Sequence, residues 1–417
     1  MKSTKVYGRG ELKVRVNRSL DREVGVGRAV LCMLKTNIHD HGVYRIKLKE
    51  LRSLVESLGI EVVGEFVQTE RSPSARYYIG SGKVKELRKF VEDNGVDMVI
   101  FYNLLSSSQK LNLIRALGRE VLDRYEITLA IFERRASDNL SKLQIEAARL
   151  NKIVPYLKLQ ASLKYRNERP FFLSMGEYAY HSQLREITRR QARIRERIEA
   201  LRKEKIEQIA YRKGQGFPIV CISGYYNAGK TSLFNALTGE KKEVSPLPFT
   251  TLTSKYQRRY LEPGLAVLFI DTIGFVLDLD PRLIKSFELN LEDMRNADLV
   301  LLLLEITDPI LVLKMKIREG IKLLTEIGVQ RERIIIVLNK IDLAGSSPES
   351  ICEALEIERY GLPWIMISAD KRINLEGLLQ LITERLIQLD EKTGGFMENA
   401  FRSPQEDHAT ISPQEKP

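Results

Sequence analysis

Two rhythms of apolar and polar residues alternate along the first third of the chain. One is a short unbroken apolar run, and the other is a longer stretch with apolar residues three to four positions apart. Ala29-Val-Leu-Cys-Met-Leu34 is a run of strand length, and 48–58 keeps helical spacing before a second strand over 60–67. A helix over 83–94 closed by Gly95 comes next, then a strand over 96–101. A helix over 106–117 closed by Gly118 and a short strand at Val121-Leu122 complete the series. Such alternation predicts a parallel sheet with helices on its faces, so residues 1–136 are expected to form a small α/β domain.

From Ser137 the pattern becomes purely helical. Leu140, Leu143, Ala147, Leu150, Val154 and Leu157 keep three-four spacing, as do Leu184, Ile187, Ile194, Ile198 and Leu201. An antiparallel two-helix stalk over 137–213 is the expectation, its first helix kinked or weakened near its end by Pro155. Arginines over 185–205 alternate with Glu and read as a solvated face. The connecting tip carries Lys158, Lys164, Tyr165, Arg166, Arg169, Phe171 and Phe172. Its default reading is a solvated loop, but basic charge interleaved with stacking rings also suits RNA, and Lys164, Arg166, Arg169 and Phe171 are the candidate contacts. After 214 strong apolar runs return, and 214–390 reads as a second α/β domain with a mostly parallel sheet. Residues 391–417 have no periodicity and are rich in Pro, Glu, Gln and Ser, the signature of a disordered tail.

Each apolar run of the second domain leads into a loop with its own chemistry. Phe217-Pro-Ile-Val-Cys-Ile222 leads into Gly224-Tyr-Tyr-Asn-Ala-Gly-Lys-Thr231, a G-x-x-x-x-G-K-T loop, and 232–238 opens a helix. The backbone of Gly224, Tyr225, Tyr226, Asn227, Ala228 and Gly229 can then point its N–H groups at phosphate oxygens, with Ser232 next to the helix N-terminus. Lys230 would reach the β- and γ-phosphates, and the Thr231 hydroxyl would sit on Mg²⁺. A second run ends in Asp271-Thr-Ile-Gly274: Asp271 can hold the metal through water, and the Gly274 N–H can meet the γ-phosphate. A third ends in Asn339-Lys-Ile-Asp342, where a carboxylate can accept from both donors on the edge of guanine, a pairing that adenine cannot supply. Ser368-Ala-Asp370 after a fourth run is the last base-contacting loop. Four such loops in this order, each after a strand, predict a P-loop domain that binds GTP and GDP.

Between the first loop and the next strand lies Pro248-Phe-Thr-Thr-Leu252, the candidate first switch. Phe249, Thr250 and Thr251 are assigned to it, with Thr251 as γ-phosphate sensor and second Mg²⁺ ligand; the alternative is a plain strand entry. Lys230, Thr251 and Gly274 form the expected catalytic set, acting by position and charge. Phe275 stands where many GTPases place a water-orienting Gln, so turnover is expected to be slow without help. Near the N-terminus Tyr78-Ile-Gly-Ser-Gly-Lys-Val84 imitates a phosphate loop, but Tyr77 occupies the place of its first glycine, so it reads as a turn and helix start.

Charge narrows the partners: 66 Lys and Arg against 55 acidic residues leave +11, which favours a polyanion such as RNA. Three cysteines, widely separated at 32, 221 and 352, match neither a disulfide framework nor a zinc site and read as reduced cytosolic residues. No apolar run is long enough to span a bilayer, and the N-terminus lacks a secretory signal, so a cytoplasmic monomer is the expectation.

The blocks Val62-Val-Gly-Glu-Phe-Val-Gln68, Tyr78-Ile-Gly-Ser-Gly-Lys-Val84, Lys142-Leu-Gln-Ile-Glu146, the Asn-bearing phosphate loop and Asp271-Thr-Ile-Gly-Phe-Val-Leu-Asp278 resemble the HflX GTPases over roughly residues 48–390. The resemblance implies a GTP-hydrolysing switch that binds the large ribosomal subunit and its RNA, in rescue, splitting or quality control. It departs at the family's glycine-rich stalk loop, which here reads Phe172-Leu-Ser-Met-Gly-Glu-Tyr178 and keeps only Gly176-Glu177. In related GTPases an Asn at the place of Asn227 ligates potassium, so K⁺ joins Mg²⁺ as a candidate cofactor; the alternative is local shaping of the loop. A GTP-dependent RNA-remodelling module with little turnover and an RNA-modification GTPase stay open as alternatives.

Overall fold

The computed structural model describes residues 27–37, 42–136, 138–167, 175–214, 216–239, 255–262, 265–272, 274–345 and 347–393. In its first unit, strands β1 (Gly27–Lys35), β2 (Ile60–Thr69), β3 (Met98–Phe101) and β4 (Glu120–Asp123) form a parallel sheet in the order β2-β1-β3-β4. β1 is central and covered on both faces, which explains why its sequence is a continuous apolar run rather than an alternation. The helices Val43–Ser57, Ser81–Asp93 and Ser107–Leu117 fall where periodicity places them, and Tyr78-Ile-Gly-Ser-Gly-Lys-Val84 is a turn and helix start. A fourth helix, Arg124–Arg135, escaped the sequence reading. It is buried on nearly every face, so it lacks the polar stripe that marks a surface helix. Its start is nonetheless encoded, because Asp123 and Glu126 close a capping box.

Two long helices come next, Asn139–Asn167 and Met175–Gly214. They run antiparallel: Glu146 pairs with Arg190, and Gln191 donates to Asn151 at 3.2 Å. Pro155 does not end the first helix, which continues to Asn167. Proline removes one intrahelical bond, a loss that packing against a neighbouring helix can outweigh. Lys158, Lys164, Tyr165 and Arg166 are consequently helical rather than part of a loop, whereas Arg169, Phe171 and Phe172 lie outside the described residues. Gly176 and Glu177 belong to the first turn of the second helix. The first stalk helix is tied to the first unit by Lys152, whose ammonium meets the buried Asp123 carboxylate at 2.5 Å. The second is tied to the following unit by Lys205, 2.9 Å from Asp293.

The second unit is a sheet of β5 (Ile219–Gly224), β6 (Lys255–Glu262), β7 (Leu265–Asp271), β8 (Leu299–Glu305), β9 (Ile334–Asn339) and β10 (Trp364–Met366) in the order β10-β9-β8-β5-β7-β6. All pairings are parallel except that of β6 with β7, so the carboxyl ends of the other five strands share one edge. β5 and β9 are buried throughout, with separate apolar clusters on the two faces of the sheet. The last helix, Leu375–Thr393, takes in residues 391–393, which the sequence assigns to a tail, and 394–417 lie outside the described residues.

The two units meet at the segment behind Asp271-x-x-Gly274. Val276, Leu283 and Phe287 join the apolar core of the first unit. The Leu277 N–H donates to Glu50 at 2.9 Å, and Asp278 accepts from Lys47 and from the Tyr102 hydroxyl, each at 2.5 Å. Arg124, almost fully buried, donates to the Tyr102 oxygen at 2.9 Å and to the Asp278 carbonyl at 3.2 Å, and lies 3.3 Å from Glu50. Burial pushes the Glu50 carboxyl up, against the pull of Arg124. For Asp278 burial acts in the same direction, but the hydrogen bonds from Lys47 and Tyr102 outweigh it and hold the carboxyl low.

Candidate nucleotide site

Parallel sheets place ligands beyond the carboxyl ends of their strands, and the four loops read from the sequence converge there. β5 ends at Gly224, whose φ of +136° and closeness to the backbone of Leu303 on β8 admit no side chain. The helix Lys230–Thr238 starts at Gly229, with φ +91°, where a Cβ would collide with the Asn339 amide. Between them Asn227 takes φ +61°, a left-handed conformation that Asn tolerates better than most residues. That strained position alone accounts for a residue of this type, which is the structural content of the loop-shaping alternative.

Asn339, at the end of β9, fastens three loops together. Its amide donates to the Ala228 carbonyl at 2.8 Å, and its oxygen accepts from the Ala369 N–H at 2.9 Å. The phosphate loop and the Ser368-Ala-Asp370 loop are thus held to the base-reading loop through one buried side chain. Ser368 is buried and its hydroxyl accepts from the Lys371 N–H at 3.0 Å, while Asp342 and Asp370 are exposed to incoming ligand. Lys340, at φ +70°, turns its ammonium to Glu305 at 2.8 Å. Glu305 ends β8, and sequence reading missed it. The signal was present, because a lone carboxylate closes an apolar run at the same sheet edge as the recognised loops.

On the phosphate side, Lys230 donates to the Tyr225 carbonyl at 2.8 Å and lies against Gly274. Removal of its ammonium from solvent lowers its pKa to about 8, a shift that nearby Asp271 opposes. The Thr231 hydroxyl donates to the Asp271 carboxylate at 3.3 Å, so two hard oxygen groups converge beside the loop. No cluster of His, Cys, Asp and Glu suited to an all-protein metal cage occurs among the described residues. Two oxygens without a cage fit Mg²⁺, which keeps waters and substrate phosphates as its remaining ligands. Ser232 sits one residue on, within the helix. Phe249, Thr250 and Thr251 lie outside the described residues.

Phe275 is turned inward. Its N–H donates to the Gly224 carbonyl and its carbonyl accepts from the Tyr226 N–H, both at 2.9 Å. Its ring, 2% exposed, packs edge-on to Tyr225. This phenylalanine has no group that could orient water, and it ties the end of Asp271-x-x-Gly274 to the phosphate loop.

Residues 45–133 match the family profile described as GTP-binding GTPase N-terminal, and residues 219–340 match that of the 50S ribosome-binding GTPases. Among curated relatives, GTPase HflX of Thermofilum pendens is 40% identical over 81% of this chain and 80% of its own length. GTPase HflX of Thermococcus kodakarensis is 35% identical over 81% of this chain and 74% of its own length. A crystal structure of a GTP-binding protein from Sulfolobus solfataricus with GDP is 26% identical, covering 87% of this chain and 99% of that one at a TM-score of 0.43. With P-loop, Asp271-x-x-Gly274 and Asn339-Lys-x-Asp342 gathered at one sheet edge, and with relatives matched along most of its length, this chain belongs to the HflX family of GTPases.

Proposed function

We propose that this GTPase is a switch acting on the large ribosomal subunit, with the phosphate loop, Asp271–Gly274 and the base-reading loops as its nucleotide site. Asn339 carries the reading, because it joins the phosphate loop to both base-reading loops through protein contacts alone. Such a site binds guanine nucleotide without first assembling its parts. Lys230 and the loop N–H groups other than those of Tyr225, Tyr226 and Ala228, which bond within the protein, neutralise phosphate charge, Asp342 accepts from the guanine edge, and Thr231 with Asp271 would hold Mg²⁺. Mg²⁺ held there would supply charge screening for the phosphates. The inward-turned Phe275 supports slow turnover by the protein alone, and the basic excess supports an RNA-rich activator. Residues 1–136, 137–213 and 214–390 then serve as sensor, stalk and motor, with Lys164, Arg166, Arg169 and Phe171 as the candidate RNA contacts.

The test is GTP turnover in potassium buffer with and without purified large subunits. Many-fold stimulation by subunits, but not by tRNA, is expected. Tight GTP binding with unstimulated, negligible turnover would replace this reading with that of a GTP-dependent RNA-binding module, which the placement of Phe275 also accommodates.

A further inference from the structure

Glu305 lies between two parts of the site that have no sequence motif in common. Its Oε2 accepts from the Asn227 carboxamide at 3.2 Å, and its Oε1 accepts from Lys340 and from the Thr307 hydroxyl, each at 2.8 Å. One carboxylate thereby links the middle of the phosphate loop to the lysine of the base-reading loop. Both ends of that link come from backbone in the left-handed region, at Asn227 and Lys340, so neither side chain arrives there by default geometry.

A carboxamide has a donor end and an acceptor end, and an ionised carboxylate only accepts. Glu305 can therefore hold only the NH₂ end of Asn227, which leaves the carbonyl oxygen as the end offered to a ligand. A monovalent cation beside phosphate requires an oxygen ligand and is repelled by an NH₂ group. We propose that Glu305 is a positioning residue, which sets the orientation of Asn227 so that its oxygen serves a potassium ion at the phosphates, and which links that orientation to Lys340. The proposal rests on the potassium reading of Asn227 for its ligand, and on hydrogen bonds alone for the orientation.

Glu305 touches no phosphate in this role; it acts through Asn227. A purely structural carboxylate would also make three hydrogen bonds. The distinguishing property is coupling: removal of Glu305 should matter only while Asn227 is present to be misoriented. A Gln at position 305 can present either end of its own amide, so it should restore part of what Ala removes.

The experiment is a double-mutant cycle with Glu305→Ala, Glu305→Gln, Asn227→Ala and the double variant Asn227→Ala/Glu305→Ala in the full chain. Affinity for a fluorescent non-hydrolysable GTP analogue with Mg²⁺ is titrated in potassium and in sodium. Circular dichroism melting checks that each variant is folded. Glu305→Ala is expected to lower affinity in potassium about tenfold, as for one lost charge-assisted hydrogen bond, and much less in sodium. Glu305→Gln should fall between it and the wild type, and the double variant should match Asn227→Ala. Additive losses from the two single variants would overturn the positioning role. Equal affinities of the wild type in the two salts, with the non-additivity intact, would remove potassium as the ligand and leave the orientation of Asn227 standing. Loss of equal size in both salts for Glu305→Ala, with additivity, would leave only a structural carboxylate.

Discussion

Asp293 offers a direct measure of how firmly the stalk is joined to the nucleotide unit. Its carboxylate is almost wholly buried, and it accepts from Lys205 of the second stalk helix and from the Tyr256 hydroxyl on β6, each at 2.9 Å. Replacement by Ala removes two charge-assisted bonds, from the Lys205 ammonium and from the Tyr256 hydroxyl, each typically about 1.5–3 kcal/mol. A loss of about 3 kcal/mol is expected, within the range for removing one member of a buried pair. The assay is urea unfolding followed by the fluorescence of Trp364, the single tryptophan of the chain, which sits on β10 and so reports this unit. With a slope of about 2 kcal/mol per M the midpoint should fall by about 1.5 M. Tyr256→Phe, which keeps the ion pair, should cost about 1.5 kcal/mol, the low end for a bond to a charged group. A midpoint for Asp293→Ala within about 0.3 M of the wild type, at unchanged slope, would show that the contact contributes nothing to stability.

Three further outcomes are expected at the site. Asn339→Ala loses two buried hydrogen bonds that join the phosphate loop to the base-reading loops, so affinity for a fluorescent GDP should fall about 30-fold in a direct titration. Gly229→Ala places a methyl group against Asn339 at φ +91°, and nucleotide retention on gel filtration should be lost while the circular dichroism spectrum is kept. The lowered pKa of Lys230, about 8, predicts proton uptake on binding, because phosphate favours the ammonium form. Above pH 8 the binding enthalpy should therefore vary with buffer ionisation heat. Before nucleotide binds, the same shift makes stability rise with pH between about 8 and the unfolded lysine value near 10.4, because there the unfolded chain holds more protons.

The loops that bind nucleotide were legible because their chemistry is local. Glycines, a lysine and a hydroxyl must succeed one another within eight residues, and each apolar strand before them announces where they sit. The two sheets were legible for a related reason, since strands covered on both faces read as continuous apolar runs. The helix Arg124–Arg135 was not, because burial on nearly all sides erases the 3.6-residue period. Pro155 shows how far a local rule reaches: it foretells a kink or a weakening, and the helix nonetheless continues to Asn167. Glu305, and the meeting of Glu50 with Leu277 across 227 positions, have no local signature at all. They exist only once the chain has brought distant segments together.

The hold of Glu50, Lys47, Tyr102 and Arg124 on the segment behind Gly274 gives that segment an inertia. That segment cannot rearrange as a free loop; it must carry the first sheet with it or part from its core. Any nucleotide that requires another arrangement binds more weakly by the fraction of molecules in which the contact is open. Linkage runs both ways, so a large surface that draws the first unit aside tightens that nucleotide by the same factor by which the nucleotide loosens the first unit. A small ligand and a large surface that favour the same open arrangement would then act together against a few part-buried hydrogen bonds.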